Sequence, residues 1–457
     1  MPASANPLSA LDDSFLAVES PTAHMHVGWA AVFEPPDAGL RPGFEELRAH
    51  IGARLSRAPR YRQRLSQAPL ELDAPCWVDD SDFELARHVR RAASTELDEV
   101  IATCMSEQLD RERPLWEIRV AERLADGRIG IVGKAHHCMV DGVAAVELAS
   151  LLLDPAPDAT PEEDGEWRPE EEPDAAALLS AIAAARAREQ LELARAASGL
   201  LLSPRRLLGA AYQAAEAAAG ALQGTLRPAT PVTPLNQPIS SARRLARVSR
   251  PLADLQRVRE RFRATVNDVY LAVAAGALRR LLRERGQEPV PLKTMVPVSV
   301  RDDGELDELG NRISFMFVEL PCEEPDPERR LRRVQMSAAE SKESGEPRAA
   351  ELALRLIGYG PRTVRRLVAR AMASPRMFNL VVSNIPGPRE PMYMRGCELT
   401  EAYPVVPLAD GHALSIGMTT IQDRACFGLY ADRSSLGDVD RVADALHEST
   451  DELLALA

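Results

Sequence analysis

RIGIVGKAHHCMVDGVAAVELASLLLD, residues 128–154, is the stretch whose reading decides the fold. Its first part, through Ala135, is rich in Ile, Val and small apolar residues and reads as a buried strand. Its last part, from Gly142, reads as an apolar helix. Between them stand His136 and His137, then Cys138, Met139, Val140, Asp141 and Gly142. The chain holds only 8 histidines, so an adjacent pair just ahead of Asp-Gly is not a chance of composition. On extended backbone, neighbouring side chains point to opposite faces. One imidazole can then face a cavity while the other packs into the scaffold. The same divergence argues against a metal site, and no third ligand stands at H-x-x-x-H or H-E-x-x-H spacing. Asp141 has an ordinary role as a helix N-cap, and Gly142 allows a tight turn. From these residues alone two readings stay open. The exposed imidazole is a general base working near neutral pH, or the pair is structural.

Outward from this stretch, the chain divides into three zones. Residues 1–155 mix strand-like runs such as HMHVGWAAVFEP, from His24, with helical patterns. Residues 156–241 form a crossover. Its acidic, Pro-rich entry, Asp154 to Asp174, reads as a solvated and partly disordered connection. Ala175 to Leu222 follows as two helices separated at Pro204, and Arg227 to Ser241 as an extended Pro-rich linker. Residues 242–457 return to mixed α and β. PLADLQRVRERF from Pro251 and NDVYLAVAAGALRRLLRERG from Asn267 have helical spacing. KTMVPVSVR (293–301), RISFMFVELP (312–321) and FNLVVSNIPGP (378–388) read as strands. HALSIGMTTI and RACFGLYAD pair as a hairpin across Gln422 and Asp423, and an amphipathic helix begins near Leu436. Two similar-sized α/β halves joined by a crossover are the simplest architecture.

Composition bounds the function. The chain has 457 residues, 45% of them hydrophobic and 27% charged, which is ordinary for a globular protein and ample for a core without staples. With 55 basic and 68 acidic residues the net charge is −13, against a general nucleic-acid binder. Aromatics at 4% are too sparse for base-stacking platforms. The six cysteines form no C-x-x-C pair and read as reduced, buried thiols of a cytoplasmic protein. No Lys or Arg precedes Arg41, unlike the basic start of a secretory signal. No apolar run reaches ~18 residues, so a soluble or peripheral protein is expected.

H-H-x-x-x-D-G is the signature of acyltransferases built like chloramphenicol acetyltransferase, a group that includes the condensation domains of peptide synthetases. The chain more narrowly resembles the bacterial wax ester synthase/diacylglycerol acyltransferase family. The likeness runs through LSALDDSFL and PTAHMHVGW near the N-terminus, Trp77 with DFELARHV (82–89), Pro114-Leu115-Trp116, Asn267-Asp268, MVPVSVR ending at Arg301, GNRISFMFVELP, and SNIPGP (383–388). In that order the motifs are highly specific, and the His, Asp and Gly positions show no departure. The resemblance implies an α/β (α+β) fold of two chloramphenicol-acetyltransferase-like halves, with a substrate tunnel between them. It implies transfer of a long-chain acyl group from acyl-CoA to diacylglycerol, a long-chain fatty alcohol, or both. His137 would be the general base, with no acyl-enzyme; His136 would be structural. Asp141 would hold the motif loop by pairing with Arg301. No bound cofactor and no metal are implied; acyl-CoA is a co-substrate.

Two residues of the resemblance have competing ordinary roles. Asn267 stands where a helix begins and reads as a cap, while the family reading puts its amide near the oxyanion or alcohol. Pro114, Leu115 and Trp116 read as core or tunnel wall. Asp268, Ser383, Asn384, Pro386 and Gly387 would line substrate, though turn chemistry explains SNIPGP as well. The Arg-rich PRTVRRLVAR (361–370) is a solvated helix face or a surface for CoA phosphates or anionic lipid. A lipid acceptor makes peripheral contact with a membrane or lipid droplet an expectation, with the helices of 175–222 as one candidate. Three rivals remain. In a serine hydrolase Ala413-Leu414-Ser415-Ile416-Gly417 would be a nucleophile elbow, with Asp432 and His447 following; yet an elbow needs a helix straight after the serine, and a strand is read there. The others are an acyltransferase using a carrier-protein donor and a non-catalytic lipid binder.

Overall fold

The computed structural model describes residues 6–36, 41–67, 73–139, 152–159, 167–201, 228–299, 313–343 and 360–457. In chain order the first part contains β1 (Asn6–Pro7), α1 (Ala10–Val18), β2 (His26–Glu34), α2 (Phe44–Arg54), β3 (Gln63–Ser66), β4 (Cys76–Asp79), α3 (Leu85–His88), β5 (Val89–Arg91), α4 (Leu97–Ser106), β6 (Trp116–Ala121) and β7 (Ile129–His136). The helix α5 (Ala175–Leu201) lies in the crossover. The last part holds β8 (Arg243–Pro251), α6 (Leu252–Phe262), α7 (Val266–Glu284), β9 (Leu292–Ser299), β10 (Ile313–Leu320), α8 (Pro327–Glu343), α9 (Arg362–Met372), β11 (Leu380–Ile385), β12 (Tyr393–Met394), β13 (Cys397–Val405), β14 (Leu414–Ile421), β15 (Arg424–Asp432) and α10 (Asp440–Leu454).

The strands form two six-stranded sheets and a small one. The C-terminal sheet runs β10-β9-β11-β14-β15-β8; the other runs β12-β13-β2-β7-β6-β5. The second order departs from a simple two-halves division. Strands β12 and β13 come late in the chain but pair into the N-terminal sheet, with Tyr403 opposite Ala30 and Pro404 opposite Trp29. The expected hairpin is present, with Gln422 in the left-handed region at φ 51°.

Glycines make this interlock possible. Gly417 and Gly428 face each other across β14 and β15. A Cβ on Gly428 would sit 2.1 Å from the Pro404 carbonyl oxygen, and one on Gly417 would sit 2.8 Å from the Pro404 ring. Only the missing side chains let β13 pack directly on the C-terminal sheet. One continuous apolar core then runs through both sheets, from Ile131 and Val132 to Ile416 and Met418. Helix α7 is its centre in the C-terminal half, buried at every position from Asp268 to Leu278. Burial of that much apolar surface is the main stabilising term, at roughly 25 cal/mol per Å² removed from water.

The crossover is less free than its composition suggests. Asp154 pairs with Tyr393 through two backbone hydrogen bonds and holds the buried Arg54. Trp167 packs edge-on against Phe83 and lies under Arg62. Glu172 accepts from Arg64 at 2.7 Å. All six cysteines are buried and free. No helix among the described residues is long and apolar enough to cross a membrane.

Candidate active site

Strand β7 is buried along its whole length and ends on His136, which stands opposite His26 of β2. The His136 backbone N–H donates to the Leu115 carbonyl at 2.9 Å. Its Nδ1 accepts from the Cys138 N–H at 3.1 Å, so a neutral ring carries its proton on Nε2. That nitrogen lies 3.4 Å from Glu19 Oε2. Glu19 also accepts from Gln108 at 2.7 Å and from Arg111. Burial alone would raise the Glu19 pKa; His136, Arg111 and Gln108 together hold it down at about 2. With 1% of its surface exposed, Nδ1 hydrogen-bonded and Nε2 facing the Glu19 carboxylate, His136 is built into the scaffold.

His137 is placed differently. It leaves the strand in a turn and is half-buried. Its backbone N–H donates to the Met25 carbonyl at 2.9 Å, and Met25 itself holds φ 50°. A non-glycine residue in the left-handed region stores strain, which the surrounding structure must hold in place. The Phe15 ring of α1 lies parallel to the His137 ring, with centroids 3.7 Å apart and planes 12° apart.

Beneath this turn the sheet is unusually polar for a core. His26 is 2% exposed, with neither ring nitrogen hydrogen-bonded among the described residues. Burial first, then the charge of Lys134, pushes its pKa well below the ordinary value, so it is neutral. His24 is likewise lowered by burial and donates from Nε2 to the Pro21 carbonyl at 3.0 Å. Lys134 is buried, donates to the carbonyls of Cys104 and Glu107 at 2.5 and 2.6 Å, and lies 3.7 Å from Glu117. Phe15, Glu19, His24 and His26 are the residues that sequence reasoning missed here. Phe15 lies in LSALDDSFL and His24 and His26 in PTAHMHVGW, two blocks of the resemblance, and the histidines also have period-two spacing. No three His, Cys, Asp or Glu side chains among the described residues come together as a metal cage.

An apolar cavity of about 320 Å³ is lined along β2 from Val27, the residue after His26. Val27, Trp29 and Phe33 of β2 form one wall, Tyr403 of β13 another, and the Ile385–Pro388 loop the rim. Between Val27 and Phe33 the strand rises ~20 Å. Gly387 is needed at the rim, since a Cβ there would meet the Thr420 carbonyl oxygen at 2.1 Å.

The other expected site residues are placed as follows. Leu115 is buried and anchors His136 through its carbonyl; Trp116 donates to the Tyr61 carbonyl at 2.7 Å and stacks on His88. Pro114 precedes them in the same buried turn. Asn267 is half-buried and is not the cap of α7. Thr265 is the cap, accepting from the Asp268 N–H at 3.1 Å, while the Asp268 carboxylate accepts from the Thr265 N–H at 2.8 Å. One turn on, Tyr270 donates to the Ile416 carbonyl at 2.9 Å and the Ser383 carbonyl at 3.3 Å, tying this helix to the strand that carries Ser383 and Asn384. Pro386 and Gly387 line the cavity. Asp141, Gly142 and Arg301 lie outside the described residues.

The expectation for α9 is corrected as well, and one rival reading is removed. Three of the four arginines of α9 are tied to the N-terminal half. Arg362 and Arg365 bind Asp13, Arg365 also binds Asp73, and Arg370 donates to the Ala17 carbonyl. The serine-elbow reading also fails. Ser415 is buried inside β14 and donates to the Val406 carbonyl at 2.6 Å, with strand rather than helix around it.

Comparison with known proteins gives the family and the fold. Residues 8–270 match the model of the wax ester synthase/diacylglycerol acyltransferase catalytic domain, and residues 309–454 that of the WS/DGAT C-terminal domain. A Mycobacterium tuberculosis protein named for diacylglycerol O-acyltransferase activity, tgs1, is 33% identical over 477 residues, covering 99% of this chain and 96% of its own. A second protein of that organism, named for the same activity, is 36% identical over 458 residues, covering 98% and 99%. Among solved structures, the wax ester synthase/diacylglycerol acyltransferase of Marinobacter aquaeolei VT8 superposes with a TM-score of 0.70 at 26% identity, over 98% of both chains. The starter condensation domain of rhizomide synthetase shares the fold, with a TM-score of 0.59 at 14% identity over 98% and 95%.

Proposed function

The chain belongs to the wax ester synthase/diacylglycerol acyltransferase family and is an acyltransferase; we propose that it moves a long-chain acyl group from acyl-CoA to the hydroxyl of diacylglycerol or a long-chain fatty alcohol, with His137 as general base. The observation that carries this reading is the split between adjacent histidines. His136 is buried, with Nδ1 hydrogen-bonded to the Cys138 N–H and Nε2 3.4 Å from the Glu19 carboxylate, while His137 is half-buried on a turn anchored to the Met25 carbonyl. In the proposed step His137 takes the acceptor's hydroxyl proton as its oxygen attacks the thioester carbonyl. The carbonyl becomes a tetrahedral oxyanion. The carbon–sulfur bond then breaks, and the CoA thiolate takes the proton back from the imidazolium. Positioning and charge stabilisation supply most of the acceleration, since both substrates meet at one centre and no acyl-enzyme is formed.

The remaining roles follow the same reading. Asn267 offers an amide to the oxyanion or the alcohol from the second residue of α7. Asp141 and Arg301 hold the motif loop, with Gly142 at its bend. The cavity bounded by Trp29, Tyr403 and Pro386 is apolar and long enough to take an alkyl chain. A lipid acceptor calls for peripheral contact with a membrane or lipid-droplet surface on the cytoplasmic side. The test is CoA release from palmitoyl-CoA with and without hexadecanol or dioleoylglycerol. Release that requires an acceptor supports O-acyl transfer, and the better acceptor separates wax ester from triacylglycerol synthesis. Acceptor-independent release contradicts it.

A further inference from the structure

Helix α1 touches both the histidine turn and the C-terminal half. At its end toward the turn, Phe15 stacks on His137 at 3.7 Å, and Glu19, four residues on, lies 3.4 Å from His136 Nε2. Residues four apart share a helix face, so this side of α1 reads both histidines at once. Residues two apart lie on nearly opposite sides of a helix. Asp13, two before Phe15, is 1% exposed and is held from the other half by Arg362 at 3.1 Å and Arg365 at 3.5 Å. One turn later the Ala17 carbonyl accepts from Arg370 at 2.9 Å. The helix is capped at its start by Ser9 and closed at its end by the Glu19 N–H on the Phe15 carbonyl. It is therefore fixed on both sides.

We propose that Phe15 is a positioning residue for His137, and that the arginines of α9 hold it there through α1. The inference rests on the reading of His137 as the base. A parallel ring covers one face of an imidazole and stops it turning, and it takes no hydrogen bond from the nitrogens, which lie on the ring edge. A general base must sit within hydrogen-bond reach of the proton it takes, and a displacement of about 1 Å can cost about 10²-fold. Phe15 supplies that restraint without competing for the proton. The other half supplies the anchor, so the base is correctly set only when the two halves are docked.

The test compares Phe15→Leu, which keeps an apolar side chain of similar size but no planar face, with Phe15→Tyr, which keeps the face. Phe15→Leu is expected to lower kcat by about 10–100-fold with little change in the KM for palmitoyl-CoA. Phe15→Tyr is expected to stay near the wild-type kcat, and both to melt near the wild-type temperature. A full kcat in Phe15→Leu would overturn the positioning role, because a filler is all that Leu replaces. Asp13→Asn, or Arg362→Gln should that variant not fold, is expected to lower kcat in the same sense by a smaller factor. An unchanged kcat there would overturn the anchoring role. His137→Ala is run alongside. If it is inactive while Phe15→Leu is fully active, this inference alone fails; if it keeps turnover, the reading of the base fails first.

Discussion

The two sheets place their motif loops alike and build beneath them differently. In the N-terminal sheet β7 ends on His136 and turns at His137; in the C-terminal sheet β11 runs into SNIPGP. Below the histidines the packing is polar, with His24, His26, Lys134 and the Glu19 network buried at the cost of desolvation. Below SNIPGP it is apolar and governed by glycines that let backbones touch. The first region is thus exposed to failure through charge, the second through volume. Under the proposed function, chemistry falls to the first loop and the shaping of the cavity to the second.

Three substitutions sharpen or break the contrast. The largest effect is expected where the second region is tightest. Gly428→Ala puts a Cβ into the Pro404 carbonyl and should cost about 3 kcal/mol in denaturant unfolding. A variant as stable as wild type would mean that β13 is not seated as described. Next, Glu19→Gln keeps shape but removes charge from the first region. The Glu19 pKa is depressed in the folded protein from its ordinary 4.5 to about 2. Its stabilisation is therefore complete above pH 4.5 and is lost as the pH falls toward 2, a contribution on the order of 2 kcal/mol. The variant should be less stable at neutral pH, and the gap to wild type should close across that window. A constant gap would contradict the network. The smallest effect is expected from Ala402→Leu, which narrows the cavity. Competition between palmitoyl- and lauroyl-CoA, and between hexadecanol and dodecanol, should shift toward the shorter chain by about tenfold for whichever substrate occupies it. No shift for either pair would remove the cavity from substrate binding.

Much of this was legible in local pattern. The strands at 26–34, 129–136 and 313–320 and the hairpin across Gln422 stand where apolar runs and turn residues put them. Extended backbone was expected to separate the adjacent histidines; in the structure the separation comes at the strand's end, where His137 leaves β7 in a turn. What stayed hidden depends on partners far away in the chain. Nothing around Cys397–Val405 announces a strand that joins the N-terminal sheet, because pairing partners leave no local mark. The α9 arginines looked solvated because Asp13 lies about 350 residues earlier. The cap of α7 was a local signal misread. Thr265 and Asp268 stand three apart, as a capping box does, and Asn267 falls inside the first turn.

The central claim is that two adjacent histidines have separate work, and parallel kcat and Tm measurements on His136→Ala and His137→Ala test it most directly. His137→Ala is expected to lose about 10²–10⁴-fold in turnover with palmitoyl-CoA and the preferred acceptor, and to melt as wild type does. His136→Ala is expected to lower the melting temperature, since it leaves the buried Glu19 without its imidazole partner. Full turnover in His137→Ala would contradict the account.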